Sequence, residues 1–370
     1  MSKKISVNEP ILDDSEIKAA QTILDSGLLS SSNINGGKYV KDFEKNIAQF
    51  LDVKYAVAIN SGTSALYASL LSLNIKSGDE VIVPSFSFTA TASAVVATGA
   101  TPVFVDISSS NYNVDISLIK SNITKKTKAI IPVHLYGHPV NVDLIAEITS
   151  PDHIAIIEDG AQSLGSSING KKCGTLGNLG CTSLYPTKVI TSGEGGVITT
   201  NDETLYEELL RIRNHGLDES GQTTRFGLNL RMPEIESAIA SIQLSKLDDF
   251  IRIRRRNSDI LSDIIGNFNL NLPVELENTF LNRYLYTISL DKSRSEVMNY
   301  MEKQGINTAV YYRTPIHKMP YYHSMNDGYD LPNTDLASSK VLSIPIHSGL
   351  SEDDVQNIGN KLNDVLKTIY

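Results

Sequence analysis

From about residue 38 onward, short apolar runs alternate with stretches in which apolar side chains recur every three or four residues. Within 39–51, Val40, Phe43, Ile47 and Phe50 fall on one face of a helix. Tyr55-Ala-Val-Ala-Ile-Asn60 then reads as a strand, 63–73 as a helix and 80–84 as a strand. A helix of small residues near 89–98 and a strand at 101–106 follow. Further strands are expected at 129–134, 154–159, 181–185 and 196–200. Their continuous β-branched runs suit strands buried on both faces, with helices between them. The pattern predicts an α/β architecture with a mostly parallel sheet.

The pattern changes after a long helix predicted over 232–250. Arg252-Ile-Arg-Arg-Arg256 follows and reads as a solvated helix face or a set of salt bridges rather than an anion site. Residues 284–290 and 306–312 read as strands of a smaller α+β unit, flanked by helical patterns at 295–304 and 351–369. The expected division is a large domain at 1–250, with an N-terminal arm at 1–14, and a small C-terminal domain at 251–370. A length of 370 residues agrees with two units.

Composition narrows the function classes. Hydrophobic residues make up 41% and charged residues 20%, enough to build a large core. A net charge of −9 makes the chain a poor generic partner for nucleic acid or an anionic membrane. Cys173 and Cys181 have no second pair, which excludes a disulfide framework and a zinc knuckle and reads as free thiols in a reducing compartment. The start, MSKKISVNEP, shows no apolar signal core, and no run approaches the roughly 20 apolar residues of a membrane span. A cytoplasmic protein is expected.

Three segments carry candidate chemistry. Asn60-Ser-Gly-Thr-Ser-Ala-Leu66 lies between a strand and a helix. Gly62 permits a tight turn, and Thr63 and Ser64 sit where free N–H groups and the helix dipole attract an anion. An ordinary helix cap explains the same residues. The strand at 154–159 ends in Glu158-Asp159-Gly160-Ala161-Gln162, facing the crevice where parallel sheets bind ligands. Metal binding or helix capping explains Asp159 equally well. Ser183-Leu-Tyr-Pro-Thr-Lys188 leads into Gly193-Glu-Gly-Gly196, where an enclosed lysine would be nucleophilic and an exposed one inert. His134 and His138 are four apart, but Gly137 and Pro139 break any helix between them, and no metal site is expected.

The order of these segments is more telling than any one of them. An anion turn, aromatics at Pro84-Ser-Phe-Ser-Phe88, an acid at 159 and a lysine at 188 match the needs of pyridoxal phosphate. The lysine bonds it, the acid keeps its ring nitrogen protonated, an aromatic covers the ring and the turn holds the phosphate.

These segments resemble the DegT/DnrJ/EryC1/StrS sugar aminotransferases over nearly the whole chain. The likeness runs through SGTSALYASL (61–70), VIVPSFSFTATASAVVATGATPVFVDI (81–107), PVHLYGHPVNVDLI (132–145), the stretch 156–202, GLNLRMPEIESAIASIQLSKLD (227–248) and YYRTPIHKMPYY (311–322). The resemblance implies the pyridoxal-phosphate transferase fold of type I: a mixed, mostly parallel seven-stranded sheet in the large domain, and a smaller α+β domain. It implies Lys188 as the covalent anchor, Asp159 as the acid on the pyridine nitrogen, Gln162 beside the ring and Phe88 stacked on it. It implies Thr63, Ser64 and Ser183 as phosphate ligands, with Asn229 reaching the phosphate from the second subunit of a homodimer. Tyr311 and His317 would approach the substrate. The implied reaction moves an amino group from L-glutamate to a keto carbon of a nucleotide-linked 6-deoxy sugar. HLYGHP and TSGEGG look most like members that aminate C4 (perosamine synthases). Amination at C3, a dehydratase and a catalytically silent sugar-nucleotide-binding regulator are the alternatives. Gly160 stands where the family more often has alanine or cysteine. Lys188 stands where dehydratase members have histidine.

Overall fold

The structure is a computed structural model that describes residues 4–268, 270–325 and 328–370. Residues 1–3 of the expected N-terminal arm lie outside it. The first two hundred residues supply β1 (Tyr55–Ile59), β2 (Glu80–Pro84), β3 (Thr101–Val105), β4 (Thr127–Ile130), β5 (Ala155–Asp159), β6 (Ser167–Ile168), β7 (Lys171–Lys172), β8 (Leu179–Ser183) and β9 (Gly196–Thr200). Seven of these form one sheet in the order β1-β9-β8-β5-β4-β2-β3. The pairs β2/β3, β2/β4, β4/β5 and β5/β8 are parallel, and β9 runs antiparallel to both β8 and β1. This is the mixed, mostly parallel seven-stranded sheet expected for the fold.

Period-two alternation explains why the sheet is buried on both sides. Ala56 and Ala58 of β1 join one apolar cluster, while Val57 and Ile59 join another. Val197 and Ile198 of β9 split in the same way. Helices Lys38–Leu51 and Glu234–Ser245 contribute to the first cluster, and Gly62–Ser72 and Ala90–Ala97 to the second.

The C-terminal part adds β10 (Thr279–Phe280), which pairs with β6, and an antiparallel pair of β11 (Tyr286–Ser289) with β12 (Val341–Ile344). Helices Leu247–Ile265, Arg294–Lys303 and Glu352–Ile369 close a separate core around β11 and β12. Residue 250 lies inside Leu247–Ile265, whose first turns enter the large core and whose last turns enter the C-terminal one.

Two expected elements differ. The helix predicted over 232–250 is two helices, Glu234–Ser245 and Leu247–Ile265, separated at Lys246. The break brings the Lys246 ammonium to Asp13 at 2.9 Å and Glu16 at 2.6 Å. Residues 306–312 are not a strand. Among the described residues their β-bridges are the isolated pairs Ile5–Ile306 and Ala309–Ser343, after which the chain packs Tyr311 and Tyr312 against the large core. Among the described residues, no helix is long and apolar enough to cross a membrane.

Candidate active site

Topology converges the chemistry on one end of the sheet. Segments leaving the C-terminal ends of β1, β2, β5 and β8 meet there, and β9, running the other way, begins there. Open α/β sheets bind ligands at this edge. The cavity is about 210 Å³ and is lined by Gly62, Thr63, Phe88, Asp159, Ser183 and Lys188, with Ser61, Tyr185 and Glu194 beside them. A narrower space shares Ala161, Ser183 and Lys188 with it and is bounded by Gln162, Asn282 and Tyr284. A larger groove of about 1220 Å³ lies elsewhere, but its arginines are already paired: Arg252 with Asp249, Arg255 with Glu275 and Arg256 with Glu352.

The helix Gly62–Ser72 points its N-terminus into the cavity. Ser61 caps it: the Ser64 N–H donates to Ser61 Oγ at 3.1 Å, and the Ala65 N–H donates to the Ser61 carbonyl at 3.0 Å. The N–H groups of Gly62 and Thr63 are therefore the helix-start donors left over. Gly62 is required by close packing, because a Cβ there would lie 2.8 Å from Ser183 Cβ. Thr63 is exposed to the cavity. The Ser64 hydroxyl is instead bonded to Ser61 Oγ at 2.9 Å, and Ser64 does not line the cavity.

Asp159 ends β5 and is buried. Its Oδ2 accepts from Thr91 Oγ1 at 2.8 Å and its Oδ1 from the Ala161 N–H at 3.2 Å. No cation lies within ion-pair distance of it among the described residues. Burial pushes its carboxyl above the ordinary carboxylate value, with the Thr91 and Ala161 hydrogen bonds and the Lys188 charge acting against that. A buried carboxylate with two neutral donors and no cation has unused capacity for a positively charged partner.

Lys188 follows a turn closed by its own N–H on the Tyr185 carbonyl at 2.9 Å. Its Nζ sits 5.2 Å from the centroid of the Tyr284 ring. Phe88 is 58% exposed, which is unusual for a phenylalanine and leaves one ring face to the cavity. Its other contact is Tyr312, centroid to centroid 6.3 Å. Gln162 is buried; its Oε1 accepts from the Tyr136 N–H at 2.7 Å and its Nε2 donates to Tyr312 Oη at 2.9 Å.

Besides Ser64, three sequence-predicted residues are not brought to the cavity within one chain. Asn229 is exposed on a segment that also exposes Phe226 and Leu228. The Tyr311 carbonyl accepts from the Tyr136 hydroxyl. His317 is buried, its Nδ1 2.7 Å from Ser85 Oγ, and burial lowers its pKa. Residues that sequence reasoning did not single out are Ser61, Thr91, Tyr185, Glu194, Tyr284 and Tyr312. All but Tyr284 fall inside the segments that carry the family resemblance, and that is the signal that could have found them.

Comparison with known proteins adds a second line of argument. A family model described as the DegT/DnrJ/EryC1/StrS aminotransferase family matches residues 10–363. A GDP-perosamine synthase from Vibrio cholerae is 33% identical, covering 99% of this chain and 100% of that protein. A dTDP-3-amino-3,4,6-trideoxy-alpha-D-glucose transaminase from Streptomyces venezuelae is 34% identical over 90% of this chain and 88% of its own. The crystal structure of S. venezuelae DesV in complex with a ketimine intermediate superposes with a TM-score of 0.91 at 31% identity, covering 97% of this chain and 99% of that one.

Proposed function

From the premise that the chain belongs to the DegT/DnrJ/EryC1/StrS aminotransferase family, we propose that it uses pyridoxal phosphate to transfer an amino group from L-glutamate to C4 of a nucleotide-linked 6-deoxy-keto-sugar. The observation that carries the cofactor reading is Asp159: a buried carboxylate lacking a cation, in the same cavity as Lys188 and a helix N-terminus. That donor set fits the group at three points. The helix start at Gly62 and Thr63, with the Thr63 and Ser183 hydroxyls, suits a dianionic phosphate. Asp159 suits a protonated ring nitrogen, and the open face of Phe88 suits a flat ring.

When bound, pyridoxal phosphate supplies an electron sink for the carbon that loses a proton. The chain's own residues do the rest. Lys188 would anchor the cofactor, and its free Nζ amine would be the group to take the proton from the glutamate Cα and to give one to the sugar carbon. Asp159 would hold the ring nitrogen in its protonated form, and its own burial cost would fall with a cation beside it. Gln162, held by Tyr136 and Tyr312, would lie beside the ring. Tyr311 and His317 would bear on the sugar nucleotide only through their neighbours: the Tyr311 carbonyl accepts from the Tyr136 hydroxyl, and His317 Nδ1 lies 2.7 Å from the Ser85 hydroxyl.

C4 is favoured by the likeness to the V. cholerae perosamine synthase together with the HLYGHP and TSGEGG segments. C3 is the second reading, favoured by the likeness to the S. venezuelae transaminase. Loading the protein with the aminated cofactor and adding 4-keto and 3-keto sugar nucleotides one at a time tests both. Recovery of the visible band is expected with a 4-keto substrate. Recovery only with a 3-keto substrate selects the other reading, and equal turnover of simple 2-oxo acids other than 2-oxoglutarate, the product of the glutamate half-reaction, sinks both.

The proposal includes a homodimer in which Asn229 serves the partner's site. Its exposure beside Phe226 and Leu228, outside the lining of the cavity around Lys188, supports this. Mixing inactive Lys188→Ala with an inactive Asn229→Ala variant is expected to restore activity, up to about half per mixed dimer, because both lesions then fall in one site. No restoration would place Asn229 in its own subunit's chemistry.

A further inference from the structure

Gln162 is gripped at both ends, and the grip fixes its chemistry. A backbone N–H only donates, so the Tyr136 N–H at 2.7 Å identifies the Gln162 atom facing it as the carboxamide oxygen. The nitrogen is then the end that meets Tyr312, at 2.9 Å. Amide nitrogen has no acceptor capacity, so Tyr312 Oη accepts here and its own hydrogen is turned elsewhere.

Tyr312 is well placed to hold this geometry. Its ring lies between Phe86, at 6.2 Å and 83°, and Phe88, at 6.3 Å and 38°. Burial keeps its hydroxyl protonated far above neutral pH. The groups that grip Gln162 come from distant parts of the chain. Tyr136 follows β4, Tyr312 belongs to the C-terminal segment, and Asn282 Nδ2 donates to the Gln162 carbonyl at 3.0 Å from just before β11. The side chain of Gln162, in the turn after β5, is therefore tied at its nitrogen end to the C-terminal segment.

We propose that Tyr312 is a positioning residue: its hydroxyl, accepting from Gln162 Nε2, holds the carboxamide so that it presents N–H, and not oxygen, on the cofactor side of the site. This rests on the reading that Gln162 lies beside bound pyridoxal phosphate. A carboxamide that donates stabilises negative charge on the ring substituents and alters how readily the bound cofactor ionises. Releasing the nitrogen end lets it swing about the bond still anchored at Tyr136.

The test compares Tyr312→Phe, Gln162→Ala and the double variant. Tyr312→Phe keeps the ring packed between Phe86 and Phe88 and removes only the hydroxyl. In cofactor-free protein, thermal melting of the four-member cycle is expected to be non-additive, because both substitutions delete one contact. In protein loaded with pyridoxal phosphate, the pH midpoint of the visible band is expected to move by about 0.5 unit or more in Tyr312→Phe, the size of one neutral hydrogen bond. The double variant is expected to match Gln162→Ala alone. Additive melting shifts overturn the contact, and an unmoved midpoint or two fully independent midpoint shifts overturn the positioning role. Wild-type protein that takes up no pyridoxal phosphate would fail the functional reading, and the melting cycle would still decide whether Tyr312 holds Gln162.

Discussion

Glu158 and Asp159 are adjacent, acidic and buried, and they live in opposite worlds. A strand turns successive side chains to opposite faces, so the two carboxylates leave β5 in different directions. Glu158 Oε1 accepts from the Leu176 N–H at 2.6 Å and the Gly177 N–H at 2.8 Å. Its Oε2 accepts from the Gly174 N–H and is 2.8 Å from His134 Nε2, whose other ring nitrogen accepts from the Val140 N–H. Among the described residues Asp159 has only Thr91 and the Ala161 N–H as donors. The saturated acid ties two loops to the sheet. The under-saturated one is left with capacity that a ligand can fill. Burial alone does not separate structural from functional acids; the count of donors does.

Breaking the comparison on the functional side is expected to give the largest effect. Asp159→Asn keeps the shape and removes the charge, and should slow the glutamate half-reaction by on the order of 10²-fold or more. Near-wild-type rates in stopped-flow would refute the assignment. The same variant makes a pH prediction for cofactor-free protein. The folded-state carboxyl lies above its ordinary value of 3.8, so ionised Asp159 destabilises the fold at neutral pH. That penalty is present above the raised value and fades as the pH falls through it. Asp159→Asn should therefore melt higher than wild type at pH 7, and the gap should close in acid.

Breaking it on the structural side should cost stability. Glu158→Gln replaces one acceptor oxygen with an amide nitrogen facing donors, at about 2 kcal/mol from groups left unsatisfied. Denaturant unfolding measures this, and activity per folded molecule is expected to hold. Lost activity with unchanged stability would erase the contrast between the two acids. The smallest effect is the sharpening one. Thr91→Val removes the only side-chain donor to Asp159 among the described residues, should raise the Asp159 carboxyl further, and should slow the half-reaction by about three- to tenfold.

What the sequence makes legible follows the same physics. Gly62, Thr63, Phe88, Asp159, Ser183 and Lys188 each sit where an apolar run ends, and a parallel sheet gathers such ends at one edge. Thr91 is hidden because a helix of small residues shows no polar face until Asp159 is packed against it. Ser61 and Ser64 are interchangeable to the eye, and only the cap geometry shows that Ser64 spends its hydroxyl within the turn. The break at Lys246 leaves no mark in the periodicity, because Leu244, Leu247 and Phe250 bury into one cluster on either side of it. Tyr312 sits in an apolar run that passes for a strand, and its tie to Gln162 spans 150 residues.

The position of β9 has a consequence for how the chain is made. β1 has β9 as its only strand neighbour in the sheet, so residues 55–59 wait for residues 196–200 before joining it. Contacts this far apart in sequence form late, because the intervening loop must close first. During synthesis at about 5–20 residues per second, the early segment remains an unpaired edge for on the order of ten seconds. The anion turn at its end is also completed late, since the Gly196 backbone lies so near the Ser61 carbonyl that a Cβ there would meet it at 2.6 Å. Chains released before residue 196 would carry an exposed apolar strand and no finished turn, which makes them targets for chaperones rather than partial enzymes.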